Sequence, residues 1–457
     1  MENIIVELSK YLIIILMTMY TIHGFFVFPV KKEQKKQEML RKQRMILFTM
    51  QFAANLVLYL TMKDIQILLF YLCQLVLIIG VMALYPFVYH NLSKSILNNM
   101  MLFLSISFLM LARLSLKTAY RQFVIAAAAL IFGLFIPIII EKWKGLQKLG
   151  WLYAAVGIAL LLFVLICGRV QYGAKNWVSV GGVMLQPSEF VKILFVFFVA
   201  SCLSKEPSFK KTVIVTAVAA AHVMILVLET DLGGALILFV TYVCMLYVAT
   251  QKSLYLFAGF GSGAVASVIA YFLFGHVRTR VSSWSNPWAD ITGGGYQITQ
   301  SLFAIGTGGW FGFGLGKGLP TSIPVAVSDF IFSAISEELG GIFAVCLIML
   351  YLSCFILFVH ASMKIRNGFY KLTAMGLSVI FIFQVFLCVG GVTKFIPSTG
   401  VTLPLISYGG SSVLSTVILF SIIQGLYVIN QNEDEKVEKE KRKEKRKNKR
   451  EAKESFR

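Results

Sequence analysis

Of 457 residues, 58% are hydrophobic and only 14% carry charge, and the mean hydropathy is +0.78, which excludes a water-soluble globular chain. The net charge of +20 would suit nucleic acid, but the basic residues sit largely beside apolar runs, where they orient a membrane protein and meet anionic lipid; no nucleic-acid partner is expected. Seven cysteines without a CxxC pair, and five scattered histidines, give neither a disulfide framework nor a zinc site, so the thiols are expected to be buried.

At 1.5 Å per residue, about 20 apolar residues cross a bilayer core of about 30 Å. Thirteen such spans are expected, at 9–30, 45–62, 66–89, 96–114, 120–140, 148–168, 188–204, 212–229, 233–250, 254–274, 329–361, 370–393 and 408–429. The chain is thus an all-α polytopic membrane protein. The first residues lack a basic n-region and a cleavage site, so no removed signal peptide is expected. The span at 329–361 exceeds what a bilayer needs, so it is tilted or its first turns line a cavity. Basic clusters at 31–44, 141–148, 205–211, 364–371 and 431–457 fall on one side if the N-terminus lies outside. That side is the cytoplasm, which leaves loops 169–187, 275–328 and 394–407 outside. The tail, with twelve basic and eight acidic residues over 432–457, reads as a disordered or partly helical solvated extension.

Those three outer segments are rich in Gly, Ser, Thr and Pro, and such backbone survives at membrane depth only where protein or water satisfies its amides. The ionisable residues around them are few. Glu189 and Lys192 share one helix face three residues apart, either as a structural ion pair or as part of a site. Glu229 and Asp231 bracket a break between spans, while Arg278, Arg280 and Lys317 lie in the longest loop. The two arginines suit pyrophosphate or serve as interfacial anchors. Trp177 is equally an interfacial belt residue. Asp329, after a candidate Ser328 N-cap, is either a general base or a carboxylate that steadies a helix start. Glu337 and Glu338 follow two turns later. The GGG and GTGG runs lack a phosphate-loop context and favour tight turns and close helix packing.

The ordered motifs GAKNW (173–177), QPSEFxK (186–192), DLG (231–233), NPWxD (286–290), GYQxxQSL (295–302), GxGxG (312–316), SDFIF (328–332), EELG (337–340) and PSTGVTLPLISYGGSS (397–412) resemble the SEDS family of bacterial envelope proteins (FtsW, RodA, SpoVE). A fainter match at 113–122 starts the shared region near residue 93. The resemblance implies about ten core spans over 93–430, three extra N-terminal spans over 1–92, and a charged cytoplasmic tail over 431–457. Met184, Val325, Thr393 and Lys394 depart from the residues usual in the family.

The resemblance further implies a peptidoglycan glycosyltransferase in the bacterial plasma membrane that polymerises lipid II at the outer face, paired with a class B penicillin-binding transpeptidase. The essential acid falls on Asp329, and the sensitive Trp and Lys fall on Trp177 and Lys192. Substrate contacts are expected from Trp177, Glu189, Lys192, Arg278, Arg280 and Lys317, with Mg²⁺ or Mn²⁺ as the candidate metal and no organic cofactor. Two rivals stand beside this reading: a lipid II flippase or other lipid carrier, and a catalytically inert scaffold.

Overall fold

The computed structural model describes residues 2–30, 32–143, 145–171, 174–180, 183–205 and 207–454. Lys31, Lys144 and Glu206 of the basic clusters, Gly173 of the first motif, and residues 455–457 of the tail lie outside the described residues.

All thirteen expected spans form helices: α1 (Glu2–Phe26), α2 (Glu33–Met62), α3 (Ile65–Val88), α4 (Lys94–Leu114), α5 (Leu116–Lys142), α6 (Gly150–Cys167), α7 (Ser188–Leu203), α8 (Phe209–Leu228), α9 (Leu232–Thr250), α10 (Ser253–Leu273), α13 (Ile331–Lys364), α14 (Gly368–Val392) and α15 (Gly410–Glu454). Among the described residues twelve are long and apolar enough to cross a membrane; α7, at 16 residues, is the short one. The protein is a multi-pass membrane protein. α15 continues past the bilayer length to Glu454, so the described part of the tail is helix rather than coil.

Helix α4 is the axis of the bundle, buried from Ser95 to Ala112, whereas α10 buries nothing and stands at the periphery. Phe103 of α4 stacks on Tyr351 of α13 at 4.2 Å between ring centroids. The polar residues of α4 explain how α1 and α2 attach. Asn98 donates to the Gln43 Oε1 of α2 at 3.1 Å, and Tyr20 of α1 donates to the Asn99 Oδ1 at 3.1 Å. Within an apolar bundle such pairs set helix register, because slippage would strand a polar group. Of the thiols, Cys202, Cys354 and Cys388 are buried as expected, but Cys73 and Cys167 are exposed on the helix surfaces.

The two outer loops expected between α6 and α7 and between α10 and α13 contain unanticipated structure. The described residues after α6 form a three-stranded antiparallel sheet, β1 (Arg169–Gln171), β2 (Ala174–Val180) and β3 (Val183–Leu185), with Val178 opposite Leu185. The longer loop folds two further helices, α11 (Gly275–Ser285) and α12 (Tyr296–Gly308). α12 buries Ile298, Ser301, Ala304 and Gly308, a helical spacing, and Ser301 bonds both the Ser333 hydroxyl at 2.6 Å and the Val392 carbonyl at 2.7 Å.

The excess length of α13 is a break rather than a tilt. Gly340 has φ +86° and ψ 166°, which divides a buried half-helix from the spanning part. The turn-rich segment after α12 caps the break: Phe313 and Gly314 N–H donate to the Glu337 and Glu338 carbonyls at 3.0 and 2.9 Å, and Gly341 N–H donates to the Gly309 carbonyl at 2.8 Å. A Cβ at Gly340 would meet the Gly312 nitrogen at 2.5 Å and the Trp310 carbonyl at 2.6 Å. The Glu338 side chain closes the junction by accepting from Arg113 of α4 at 2.8 Å and from the Gly316 N–H at 3.0 Å.

Gly340→Ala is expected to destabilise by roughly 1–3 kcal/mol for the left-handed backbone, with the clash added. Gly261→Ala on α10, where a Cβ meets nothing within 4 Å, should leave stability unchanged or slightly higher. Melting temperatures of the two purified variants, read side by side, check this.

Candidate active site

The turn before α13 carries the acid singled out by the sequence. Its helix begins two residues later than expected, with Phe330 at the cap and no side-chain cap bond; Ser328 is therefore not an N-cap. Instead, the Ser328 hydroxyl faces the Val325 carbonyl at 3.4 Å, and Val325 itself adopts φ +54°. A β-branched residue there stores strain of order 1–3 kcal/mol, which persists only where the surroundings hold it. They do so here. The Tyr408 N–H donates to the Val327 carbonyl at 2.8 Å, the Ser407 hydroxyl to the Ser328 carbonyl at 2.5 Å, and the Cys388 thiol to the Asp329 carbonyl at 3.6 Å. Gln122 of α5 fixes Ser407 in turn by donating to its carbonyl at 2.9 Å.

Asp329 is half-buried, and its Oδ2 would lie 3.6 Å from a Cβ placed on Gly400. Burial pushes its carboxyl up to about 6, while the Ser328 hydroxyl and the Arg280 charge pull it down. Arg280 is half-buried on α11, donates to the Ser398 carbonyl at 3.2 Å, and feels the charges of both Asp231 and Asp329. A carboxylate near 6 beside a fixed cation has the properties of a general base at neutral pH.

A second polar cluster adjoins it. The Asp231 Oδ2 accepts from Asn176 at 3.2 Å, Ser188 at 3.3 Å and Gln186 at 3.4 Å, and Oδ1 caps α9 through the Gly234 N–H at 2.8 Å. Glu189 and Lys192 form the ion pair allowed by their spacing, at 2.9 Å and almost wholly buried. Gln384 accepts a second bond from Lys192 at 2.8 Å, and the Ser415 hydroxyl donates to Glu189 at 2.9 Å. Gln186, Glu189, Lys192, Asp231, Gly400 and Thr402 border a polar cavity of about 30 Å³, enough to admit water.

The remaining expected residues are placed unequally. Trp177 is half-buried on β2, opposite Arg169. Arg278 is exposed and donates to the Phe272 carbonyl at 3.1 Å, within its own segment. Lys317 pairs with Glu7 of α1 at 2.6 Å, so its ammonium is turned toward the N-terminal helices. The sequence marks Glu229 only as a break residue, yet it is fully buried, and among the described residues neither carboxylate oxygen has a hydrogen-bond partner. Burial and then the Asp231 charge push it up to about 8.

A model of the FtsW, RodA and SpoVE cell cycle proteins matches residues 68–432, which takes in most of α3 as well as the helices after it. The chain belongs to this family. The peptidoglycan glycosyltransferase RodA of Mycobacterium tuberculosis is 38% identical over 303 residues, covering 62% of this chain and 65% of that protein. RodA of Mycobacterium leprae is 36% identical over 301 residues, covering 62% and 64%. The probable peptidoglycan glycosyltransferase FtsW of Aliivibrio salmonicida is 34% identical over 304 residues, covering 64% and 75%. The chain thus spans about two thirds of the length of its RodA relatives. Among solved structures, a chain of a peptidoglycan synthase complex that coordinates polymerization and crosslinking superposes with a TM-score of 0.63 at 23% identity, covering 75% of this chain and 98% of that one. The rod shape determining protein RodA of Thermus thermophilus gives 0.55 at 23%, covering 74% and 96%. These two share the fold.

Within this family fold, the buried Glu189–Lys192 pair makes its own forecast. Lys192→Met leaves a carboxylate without its cation and should cost about 3–5 kcal/mol, whereas Glu189→Gln with Lys192→Met should recover much of that loss. Thermal unfolding of the single and double variants distinguishes a coupled pair from two independent groups.

Proposed function

We propose that this chain is a peptidoglycan glycosyltransferase that polymerises lipid II, with Asp329 as general base. The reading rests on one observation above all: a carboxylate that burial pushes up to about 6, held in a strained turn under the influence of Arg280, at the second position of the family motif SDFIF. The names of the RodA and FtsW relatives support the reaction class.

In the proposed step Asp329 accepts the proton from the C4 hydroxyl of the acceptor lipid II sugar. That oxygen attacks C1 of the donor muramyl unit, the bond from C1 to the pyrophosphate oxygen breaks, and configuration inverts. Undecaprenyl pyrophosphate leaves with the electron pair. Arg280, whose charge acts on the acid, is the main candidate for stabilising the charge of the leaving pyrophosphate, with the exposed Arg278 on the same helix. Lys192 borders the adjoining cavity, and two of its three ammonium N–H groups go to Glu189 and Gln384, so a substrate group there meets the third or takes the place of one of these partners. Lys317 contributes if its contact with Glu7 opens.

Mg²⁺ or Mn²⁺ is part of the proposal only as an ion brought with the pyrophosphate, since magnesium is commonly held by one or two carboxylates plus substrate phosphates. Among the described residues no three His, Cys, Asp or Glu side chains form a metal cage, both Asp231 oxygens accept hydrogen bonds, and Arg280 already offsets Asp329. Those residues do not by themselves fit a divalent ion at Asp329.

The proposed orientation follows the basic clusters: C-terminus in the cytoplasm, motif loops and active site outside, where lipid II sugars are displayed. A class B penicillin-binding transpeptidase is the proposed partner, in keeping with the synthase complex whose chain shares this fold.

Asp329→Asn should lower polymerisation of labelled lipid II by about 10²–10⁴-fold when the purified protein is assayed with its partner and products are resolved on a gel. Undiminished glycan from that variant overturns the assignment of the base. Lipid translocation without glycan from the unaltered protein would favour the carrier.

A further inference from the structure

Gln384 lies in α14, outside every motif of the sequence, and is 3% exposed. A primary amide in an apolar bundle is costly when its polar ends are left unpaired, at about 1–3 kcal/mol for each group. Here both ends are engaged. The Lys192 ammonium donates to the Gln384 Oε1 at 2.8 Å. The Nε2 donates to the Thr402 carbonyl at 3.1 Å and faces the Thr402 hydroxyl at 3.4 Å. An ammonium can only donate, so Lys192 decides which way the amide faces and turns its NH₂ group toward Thr402.

That bond holds one end of a short stretch of irregular backbone. Two side chains from other elements tie down its ends: Arg280 of α11 donates to the Ser398 carbonyl at 3.2 Å, and Gln384 of α14 donates to the Thr402 carbonyl. The Thr402 hydroxyl also shares a hydrogen bond with Ser412 at 2.7 Å. Gly400 stands between the two ends with φ +71° and is exposed. A Cβ on it would lie 3.6 Å from the Asp329 Oδ2, so this backbone is part of the rim around the acid. Cys388, four residues after Gln384 and so on the same face of α14, donates its thiol to the Asp329 carbonyl at 3.6 Å. One helix face therefore fixes both the turn that carries the acid and the backbone beside it.

We propose that Gln384 is a positioning residue, which by holding Thr402 keeps the Gly400 backbone against Asp329 and the carboxyl partly out of solvent. Its effect on rate rests on the reading of Asp329 as the base. The groups acting on that carboxyl are Arg280 of α11, whose charge acts on Asp231 as well, the Ser328 hydroxyl of its own turn, and Cys388 of α14 at its carbonyl. Glu189 and Lys192, on the adjoining cavity, are paired with each other. Burial is the largest influence on Asp329, so loosening its rim should return the carboxyl toward the usual carboxylate range. Replacing Arg280 cannot isolate this effect, because its charge acts on the acid directly. Gln384 is neutral and can.

The test is a titration of the Asp329 carboxyl by infrared difference spectroscopy, on the full chain in lipid nanodiscs with Asp329→Asn as the blank. The unaltered protein should titrate near 6. In Gln384→Leu the titration should move down by about one pH unit. Ser378→Ala, which loses only a bond to the Ala374 carbonyl of its own helix, should leave it in place. Where leucine prevents folding, Gln384→Met, unbranched and adaptable, takes its place. With the partner transpeptidase present, the low-pH break of lipid II polymerisation should move with the carboxyl, and the plateau rate should fall about 10–100-fold. The proposal is overturned if the carboxyl of a folded Gln384 variant does not move down, the outcome for a Gln384 that serves Lys192 alone, or if the plateau rate is undiminished. The titration needs no turnover: polymerisation that persists in Asp329→Asn would sink the base, and the rim would then be judged by the carboxyl alone.

Discussion

Non-helical backbone inside a helical bundle has no water to satisfy its amides, so each irregular stretch must find another to pair with. That constraint organises the motif end of this protein. The segment after α12 pairs with the break at Gly340, the 397–412 segment pairs with the turn at 325–330, and β2 pairs with the turn at 229–231. Each motif that looks like an isolated loop in the sequence is half of such a pair. The strain at Val325 is tolerable because the carbonyls of Val327, Ser328 and Asp329 are all held from the other side.

The same architecture sets the chemistry. Drawing Asp329 partly out of solvent raises the cost of its charge, and Arg280 offsets only part of that cost. The balance leaves a carboxylate that is mostly ionised at neutral pH yet basic enough to take a proton. The helix dipole expected from an N-cap at Ser328 is not the governing influence, because the helix starts later; desolvation is.

Much of the fold was readable from apolar run length alone, and all thirteen long helices lie where the hydropathy places them. The sheet at 169–185 escaped because its strands are short and its Gly, Asn and Ser content reads as loop. α12 escaped for a related reason: its buried face uses Ser, Ala and Gly beside one Ile, small residues that carry little hydrophobic signal but permit close packing. The break in α13 did leave a trace in the GG at 340–341 and in the excessive length of the span. Of the site, Asp329, Arg280 and the Glu189–Lys192 pair were visible as rare charges in an apolar chain. Which partner each one takes was not: Lys317 meets Glu7 some 310 positions away, and Gln384, which accepts from Lys192, lies on another helix.

The pH dependence of lipid II polymerisation tests the central claim most directly, because only a titrating base couples the rate to the state of this one half-buried carboxyl. The rate, measured with the partner transpeptidase present, should be flat above about pH 6, should fall about tenfold per unit below it, and should break at higher pH in Arg280→Gln. A profile without a break in that region, or one that Arg280→Gln leaves in place, would contradict proton abstraction by Asp329.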